Sequence, residues 1–352
     1  MKNNYIVLIF RTIIILIISL AIANISIILF KKSIISEKVF PRSNLRLLPS
    51  QYQVYYQDTF NFKSNDTYTA LIGDSHVFGI GDGFYDLKST KYSIAHFLKD
   101  KFPDENFISF GLPGAGNIEP YYFYDKMKNS KIHSLKNVNR ILYFFYEGND
   151  LEDNIRKEFN LSKFLKNFKS DSYFPLYKIC KNLISKISGV SQKKEDFVNT
   201  YFLKNIEKKI NSPLQSPPFE LNENEIEKSL SITFTYLKKF KKFTNEIYLI
   251  YIPSPATVLD LKNPIIVQKY FPDRDINNNL SKNEILTANR KIVDKISYFC
   301  ENNNFTFYNL TPNLIEYSRY NLSYGPIDFK HPRVNVYEYM VEIISDNILS
   351  KN

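Results

Sequence analysis

The sequence predicts an α/β fold in which a parallel sheet carries helices on both faces. Two observations predict this class. Apolar, strand-like runs alternate with helix-like stretches over most of the chain, and such alternation joins parallel strands through right-handed crossovers. The run at 140–146 is rich in aliphatic and aromatic residues, so both of its faces would be buried, as in a central parallel strand.

Five strands and four main helices are predicted in chain order. The strands are expected at 68–74, 106–110, 140–146, 246–252 and 305–310, where short apolar runs stand between turn-like segments. The helices are expected at about 93–98, 121–128, 283–302 and 335–349, where apolar residues recur at helical spacing. The five strands are enough to form a parallel sheet, and the helices would cover it.

Residues 151–245 interrupt the alternation of strands and helices. They are polar, lysine-rich and helical in pattern, and proline-containing breaks occur at 212–213 and 216–218. We predict no strand there and interpret the segment as a helical insertion that forms a cap or lid. The predicted organisation is an anchor at 1–32, a stalk with the loop that follows it at 33–66, and one domain at 67–352.

The N-terminus predicts a single membrane-spanning helix. Residues 12–30 carry no charged side chain, and the run approaches the ~20 residues that a spanning helix needs. A cleaved signal peptide is the alternative, because Ala21-Ile22-Ala23 resembles a small-residue cleavage site. The apolar run continues beyond it to Phe30, which favours an uncleaved anchor.

The side of the membrane on which the domain lies is predicted from two opposing signals. Positive charges flank both ends of the apolar run and are more numerous after it, and the positive-inside rule alone would keep the domain cytoplasmic. A short leader followed by one hydrophobic run is the layout of an exported, N-anchored protein. We therefore expect an extracytoplasmic domain.

Composition excludes several classes of function. The net charge is +10, with 46 Lys and Arg against 36 Asp and Glu, but the basic residues are spread along the chain, which argues against nucleic-acid binding. Two cysteines, Cys180 and Cys300, make no disulfide framework. Four histidines without a His-x-x-x-His or Cys-x-x-Cys pattern predict neither a metal nor a cofactor.

Three residues supply the groups needed for acyl transfer through a covalent intermediate. Ser75 follows the first predicted strand in Leu-Ile-Gly-Asp-Ser-His, and His331 closes the segment Asp-Phe-Lys-His near the other end of the chain. Asp328 precedes His331 by three residues, so on one turn both side chains could face the same way. A serine nucleophile, a histidine base and a carboxylate that orients the base would result.

Three candidate donors for a developing oxyanion follow three successive predicted strands. They are the backbone N–H of Ser75, the backbone N–H of Gly114 and the side-chain amide of Asn149. Because parallel strands present their carboxyl ends at one edge of the sheet, these groups are expected to lie near one another.

These motifs together resemble the four blocks of the SGNH (GDSL-like) hydrolase superfamily. In order along residues 71–331, the matching positions are Gly73-Asp74-Ser75, Gly114, Gly148-Asn149-Asp150, and Asp328 with His331. The resemblance implies a flavodoxin-like three-layer α/β/α sandwich and an esterase, lipase or O-acyltransferase. It also implies that Ser75 is the nucleophile, that Gly114 and Asn149 complete the oxyanion hole, and that Asp328 and His331 complete the triad.

The anchor and the resemblance together suggest a substrate class. His76 stands where leucine is more familiar, a variant similar to enzymes that handle acetyl groups of envelope glycans. We expect an O-acyl group, most simply acetyl, on an envelope or secreted glycan, with polysaccharide machinery as a partner. Two alternatives are a catalytically silent protein that binds glycan in such a complex and a lipid esterase beside its own anchor.

Several other residues near the serine have simpler interpretations. The glycines at 79, 81 and 83 and those at 111, 114 and 116 lack the spacing of a phosphate-binding or dinucleotide-binding loop, so turns are expected. His76 is expected to pack or to contact substrate, and Asp74 to hold the turn by accepting backbone N–H groups. Asp82 and Asp86 are expected in a solvated loop rather than at a cation.

Overall fold

The computed structural model describes residues 2–30, 48–56, 67–86, 89–129, 135, 137–156, 159–173, 175–187 and 198–350. The chain forms two compact units. The first comprises Met1–Asp58 and Asn160–Gln192, and the second comprises Thr59–Phe159 and Lys193–Asn352. The second unit contains the predicted sheet.

The described strands, in chain order, are β1 (Thr67–Gly73), β2 (Phe107–Gly111), β3 (Asn137–Tyr146), β4 (Asn199–Leu203), β5 (Ile206–Ile210), β6 (Glu246–Ile252), β7 (Asp260–Leu261), β8 (Ile265–Ile266), β9 (Asn279–Leu280) and β10 (Thr306–Asn309).

The described helices, in the same order, are α1 (Lys2–Leu29), α2 (Ser50–Tyr56), α3 (Ser75–Phe78), α4 (Asp82–Tyr85), α5 (Ile94–Lys101), α6 (Glu119–Asn129), α7 (Asp150–Arg156), α8 (Leu161–Tyr173), α9 (Pro175–Ile187), α10 (Glu223–Lys239), α11 (Pro255–Val258), α12 (Lys282–Asn302), α13 (Thr311–Tyr320) and α14 (Val334–Ile344). A 3₁₀ turn, Phe240–Lys242, follows α10, and a π turn, Ser345–Leu349, follows α14.

The central sheet has five strands in the order β10-β6-β3-β1-β2. All four neighbouring pairs are parallel. Counted along the chain, this is the order 2-1-3-4-5 of a flavodoxin-like doubly wound sheet. The predicted fold class is confirmed, and each of the five strands lies within a few residues of its predicted bounds.

One face of the sheet packs against α5 and α14. Leu71 and Leu142 are neighbours in register on β1 and β3, and both belong to a buried apolar cluster with Leu98 of α5 and Met340 of α14. Burying aliphatic side chains of this size stabilises the fold by about 1.5–3 kcal/mol each. The predicted helices at 93–98 and 335–349 therefore form one layer of the sandwich.

The opposite face of the sheet is aromatic. Tyr124 of α6 packs edge-on to Phe110 of β2, with ring centroids 4.9 Å apart, and its hydroxyl lies 2.9 Å from that of Tyr68 on β1. Phe240, just after α10, packs on Tyr143 of β3 at 5.9 Å. With layers on both faces, the chain forms a three-layer α/β/α sandwich.

The prediction that residues 151–245 contain no strand is wrong. β4 and β5 pair as an antiparallel hairpin, and β4 also pairs with β7. The hairpin turn consists of Lys204 and Asn205, which both have positive φ angles, 52° and 62°. This turn has no glycine, and most of β5 is exposed and charged, so no alternation of apolar residues marked the strands.

The first unit contains α1, α2, α8 and α9. Within α1, the stretch Phe10–Leu29 is long and apolar enough to be a membrane span or a signal sequence. Most side chains of this stretch are exposed; Ile15, for example, has 65% of its surface accessible. Of the predicted stalk at 33–66, only 48–56 belongs to the described residues, and α2 lies there.

Candidate active site

Ser75 lies directly beyond the carboxyl end of β1, between the neighbouring strands β2 and β3. Open parallel sheets place their ligands at this kind of position, where the strand order reverses. Asp74 caps the short helix α3, because its Oδ1 accepts the backbone N–H of His76 at 2.9 Å. This confirms the turn-holding role predicted for Asp74 and fixes the backbone that carries the serine.

The structure brings Ser75, His331 and Asp328 together in one chain of hydrogen bonds. Nε2 of His331 lies 2.8 Å from Oγ of Ser75, although the two residues are 256 positions apart. Nδ1 of His331 lies 2.6 Å from Oδ2 of Asp328. Since an ionised carboxylate only accepts hydrogen bonds, we assign the imidazole proton to Nδ1, which leaves Nε2 to accept the serine O–H.

Two further bonds orient the carboxylate and the histidine loop. Oδ1 of Asp328 accepts the backbone N–H of Lys330 at 2.8 Å, so each carboxylate oxygen has its own donor. The hydroxyl of Tyr146, at the end of β3, lies 2.7 Å from Oε1 of Gln215 and 3.2 Å from the carbonyl oxygen of Lys330, so its one hydrogen is shared between these two acceptors. The residue before His331 is therefore tied to the central strand of the sheet.

Asp82 holds both sides of the segment that carries His331. Its Oδ1 accepts the backbone N–H of Asp328 at 3.2 Å, and its Oδ2 forms an ion pair with Arg333 at 3.3 Å. Asp82 is 8% exposed, so the prediction of a solvated loop is wrong for this residue. Burial raises the pKa of the Asp82 carboxyl. The Asp328 N–H and the Arg333 side chain are the polar partners that allow this carboxyl to be buried.

Gly81 allows the histidine loop to approach the loop that follows Ser75. A Cβ atom at this position would collide with the carbonyl oxygen of Pro332, the residue after His331. Because backbone atoms cannot yield as a flexible side chain does, only glycine fits without a shift. Gly79 has φ +87° and ends α3, which is the turn that the sequence predicted; the close approach at Gly81 was not predicted.

Electrostatics favour the protonation states that a base and its orienting carboxylate need. Burial lowers the pKa of His331, and the nearby His76 lowers it further, so that the net shift is downward despite the bond to Asp328. Burial raises the pKa of Asp328, but the hydrogen bond and charge of His331 outweigh it and keep the pKa below its usual value. At neutral pH the pair is a neutral imidazole and a carboxylate.

His76 forms a second histidine–carboxylate pair, beneath the first. Its Nδ1 lies 3.0 Å from Oδ1 of Asp74, and its ring stacks on Tyr146 with centroids 3.6 Å apart. The rings of His76 and His331 are 4.9 Å apart. His76 is 1% exposed, which agrees with the packing role predicted for it.

Asn149 and Gly114 follow β3 and β2, the two neighbours of β1. The side-chain amide of Asn149 donates to Oδ2 of Asp153 at 3.2 Å. Gly114 has φ +73°, and no described atom lies within 4 Å of the position that a Cβ would take there. Glycine is thus needed at 114 for its backbone conformation, and the space beside it is open.

The carboxylate of Glu147 joins the ends of β3 and β6 below these residues. It accepts hydrogen bonds from the Tyr251 hydroxyl at 2.7 Å, the Ser254 backbone N–H at 2.7 Å and the Thr257 hydroxyl at 2.6 Å. Asn289 of α12 donates to it at 2.5 Å. A buried carboxylate with four donors fixes the backbone that leads into Asn149.

Sequence reasoning missed three residues that position the site: Asp82, Tyr146 and Asp153. Asp82 had one visible signal, an acidic residue inside a glycine-rich turn. Tyr146 and Asp153 had none, because an aromatic residue in a strand and an acid in a first helical turn are common features. Among the described residues, no cluster of three or more histidine, cysteine or acidic side chains could hold a metal ion.

Comparison with known proteins finds similarity at the level of solved structures. No family model matches the chain, and no curated protein sequence matches it. A Bacteroides fragilis protein proposed to be an acylhydrolase aligns with 86% of this chain and 97% of its own, at 11% identity and a TM-score of 0.41. A catalytic mutant of the acetylxylan esterase Axe2 from Geobacillus stearothermophilus aligns with 82% of this chain and 96% of its own, at 11% identity and a TM-score of 0.36.

An extracellular lipase from Streptomyces rimosus is also similar. It aligns with 80% of this chain and 98% of its own, at 13% identity and a TM-score of 0.38. Similarities this distant do not assign a substrate or a catalytic residue.

Proposed function

We propose that this protein is a serine-dependent enzyme of the SGNH type that hydrolyses or transfers an O-acyl group through an acyl-enzyme. The observation that carries the proposal is the chain of two hydrogen bonds from Ser75 through His331 to Asp328, at 2.8 and 2.6 Å. A histidine placed between a hydroxyl and a carboxylate in this way can accept a proton at one nitrogen while the other is held.

In the acylation step, Oγ of Ser75 attacks the acyl carbonyl carbon and its proton passes to Nε2 of His331. The carboxylate of Asp328 stabilises the imidazolium that forms. When the tetrahedral intermediate collapses, the bond to the leaving alcohol breaks and the proton on Nε2 goes to the alcohol oxygen. The acyl group is then esterified to Ser75.

The negative charge on the tetrahedral intermediate needs hydrogen-bond donors. We assign this role to the backbone N–H groups of Ser75 and Gly114 and to the side chain of Asn149, which follow three adjacent parallel strands. The amide of Asn149 has two hydrogens, and among the described residues Asp153 accepts one of them. The other remains for the oxyanion, while Asp153 holds the amide in place.

The second half of the reaction decides between hydrolysis and transfer. His331 removes a proton from the incoming hydroxyl as its oxygen attacks the acyl carbon, and Ser75 departs after recovering a proton from Nε2. If the hydroxyl belongs to water, the product is a carboxylic acid. If it belongs to a sugar, the acyl group has moved to a new acceptor, and the same residues serve both outcomes.

The substrate proposed is an O-acylated carbohydrate of the cell envelope or a secreted glycan, with acetyl as the acyl group. The apolar helix α1 would place the enzyme at a membrane, with its domain on the extracytoplasmic side and polysaccharide machinery as a partner. These assignments rest on α1 and on the resemblance of the sequence motifs to the superfamily.

The proposal is tested with the full-length protein in detergent, using p-nitrophenyl acetate and a panel of acetylated oligosaccharides from which acetate release is measured. The Ser75→Ala variant should lose activity down to the uncatalysed rate. Ser297→Ala, on the outer helix α12, is the matched control and should retain it. Unchanged turnover in Ser75→Ala would show that the nucleophile is wrongly assigned.

The same assay separates the two alternatives. A glycan-binding protein without activity would bind the oligosaccharides, release no acetate and remain unlabelled by a fluorophosphonate probe. A lipid esterase would cleave long-chain p-nitrophenyl esters faster than the acetate. Either result would replace the glycan esterase or transferase as the function of this site.

A further inference from the structure

Within the first compact unit, α9 packs on the apolar helix α1, and α8 packs on α9 to form a hairpin of two helices. The backbone N–H of Leu176, at the start of α9, donates to Oδ1 of Asn24 in α1 at 3.2 Å. Lys178 of α9 pairs with Asp171 of α8 at 3.4 Å, which joins the two helices of the hairpin. The hairpin is therefore attached to α1 at one defined level.

That level lies just inside the end of the apolar stretch. Asn24 precedes Leu29, the last residue of α1, by five positions, which corresponds to about 7–8 Å along a helix. If Phe10–Leu29 crosses a bilayer, the start of α9 lies about this far below the boundary of the hydrocarbon. Amphipathic helices that lie on membranes bury their apolar faces to a depth of ~5–10 Å.

The helices of the hairpin are amphipathic in the way that membrane-surface helices are. On α8, Leu161, Phe164, Leu165 and Phe168 recur at the spacing of one helix face. On α9, Leu176 and Ile179 begin a similar face. Tyr177 is 64% exposed, and tyrosine is a residue that membrane interfaces favour.

The polar faces of the hairpin are strongly basic. Residues 161–187 contain six lysines and one aspartate, which gives a net charge of +5. On α8, Lys163, Lys166 and Lys169 are exposed; the first two lie opposite the apolar face, and Lys169 lies at its edge. Lysines on the polar face of an interfacial helix attract anionic lipid headgroups.

An apolar groove lies where α9 meets α1. It encloses about 580 Å³, and its walls include Leu20, Ile25, Leu176 and Tyr177. The groove lies beside a helix that has the length of a membrane span. Its volume and its apolar walls suit a lipid acyl chain.

We propose that the α8–α9 hairpin is a membrane-surface element: its apolar faces and the groove against α1 contact lipid acyl chains, and its lysines bind anionic headgroups. This role of the hairpin is separate from the proposed esterase function and does not involve Ser75. It requires that α1 is retained, because the groove is lined by Leu20 and the start of α9 binds Asn24. These residues lie on either side of the small-residue sequence Ala21-Ile22-Ala23.

The absence of tryptophan from the sequence makes a direct test possible. The full-length Tyr177→Trp variant is reconstituted in nanodiscs of phosphatidylcholine and phosphatidylglycerol, with and without lipids brominated on the acyl chains. Tyr298→Trp is the control, because Tyr298 is 72% exposed on α12 of the other unit. We expect blue-shifted emission and strong quenching by brominated lipid for Tyr177→Trp, and neither for Tyr298→Trp.

A second variant tests the charge component. Lys163, Lys166 and Lys169 are replaced together by glutamine in the Tyr177→Trp background, and helix content is checked by circular dichroism. Quenching should fall in nanodiscs that contain phosphatidylglycerol and stay unchanged in phosphatidylcholine alone, because only the anionic lipid attracts the lysines. Lack of any difference between the two lipids would overturn the headgroup assignment.

Three other outcomes would overturn the proposal. Solvent-like, unquenched emission of Tyr177→Trp would mean that the hairpin lies in water. Blue-shifted emission without quenching by brominated lipid would mean that protein, such as a second copy of the chain, covers this surface. A mature N-terminus after Ala23 would mean that α1 is removed. Esterase activity, assayed on the same samples, tests the function of Ser75 separately.

Discussion

Oδ1 of Asp82 accepts the backbone N–H of Asp328 at 3.2 Å, which links the loop after Ser75 to the loop that carries His331. The same carboxylate pairs with Arg333 on the far side of His331. One buried acid therefore sets the position of a histidine that belongs to a different part of the sequence.

Removing the Asp82 link should lower catalysis without unfolding the protein. We expect Asp82→Ala to reduce kcat by up to ~10²-fold, because a small displacement of a catalytic group is enough for that loss. Asp82→Asn should lose less, since its amide oxygen can still accept the Asp328 N–H. Measured kcat values that are equal for wild type and Asp82→Ala would contradict the positioning role.

The activity should rise with pH along a single acidic limb. His331 acts in its neutral form, and its pKa lies below the usual 6.5 because it is buried and close to His76. As the pH rises through the pKa of His331, the protonated fraction of this histidine falls, and kcat/KM increases to a plateau. The pKa of Asp328 is below its usual value, so this carboxylate stays ionised throughout. A pH–rate profile centred above 7 would disagree with the structure.

Truncation of Asn149 tests the oxyanion assignment. Asn149→Ala should lower kcat by about 10²–10³-fold, the loss typical of removing one oxyanion donor, with little change in KM. Asn302→Ala, which removes an exposed amide on α12, is the control. A large rise in KM with an unchanged kcat would assign Asn149 to substrate binding instead.

Gly81→Ala should disturb the site through the backbone. The added methyl group meets the Pro332 carbonyl oxygen, so the histidine loop must move away from Ser75. We expect a loss of kcat of about tenfold or more, by the same sensitivity to small displacements, together with a lower melting temperature. If crystals of Gly81→Ala showed the Ser75–His331 bond at its original length, the close approach would be less restrictive than inferred.

The pair of His76 and Asp74 is expected to contribute mainly to stability. His76→Phe keeps an aromatic ring against Tyr146 but leaves the buried Asp74 carboxylate without its imidazole partner. Losing a hydrogen bond to a buried carboxylate costs about 1.5–3 kcal/mol, whereas His76→Asn retains a donor and should cost less. Urea denaturation of both variants measures the difference, and equal midpoints for the two would refute it.

Much of the fold could be read from the sequence because the signals are local. An apolar run such as 246–252 is buried on both faces wherever the sheet lies, so its composition predicts a strand. The β4–β5 hairpin gave no such signal, since its turn uses Lys204 and Asn205 in positive-φ conformations and β5 is largely exposed. Its pairing with β7 depends on neighbours that are distant in sequence.

The sequence by itself determined the five strands of the central sheet with the main helices between them, the apolar N-terminal helix, and the residue types able to carry acyl transfer. It contained two aspartate–histidine pairs, Asp74 with His76 and Asp328 with His331, and only the tertiary structure shows where each lies. The side chain of His331 contacts Ser75, whereas the side chain of His76 packs against Tyr146. The physical reason is that a contact across 256 positions arises from the packing of the sheet and the docking of one loop on another, which no local pattern encodes.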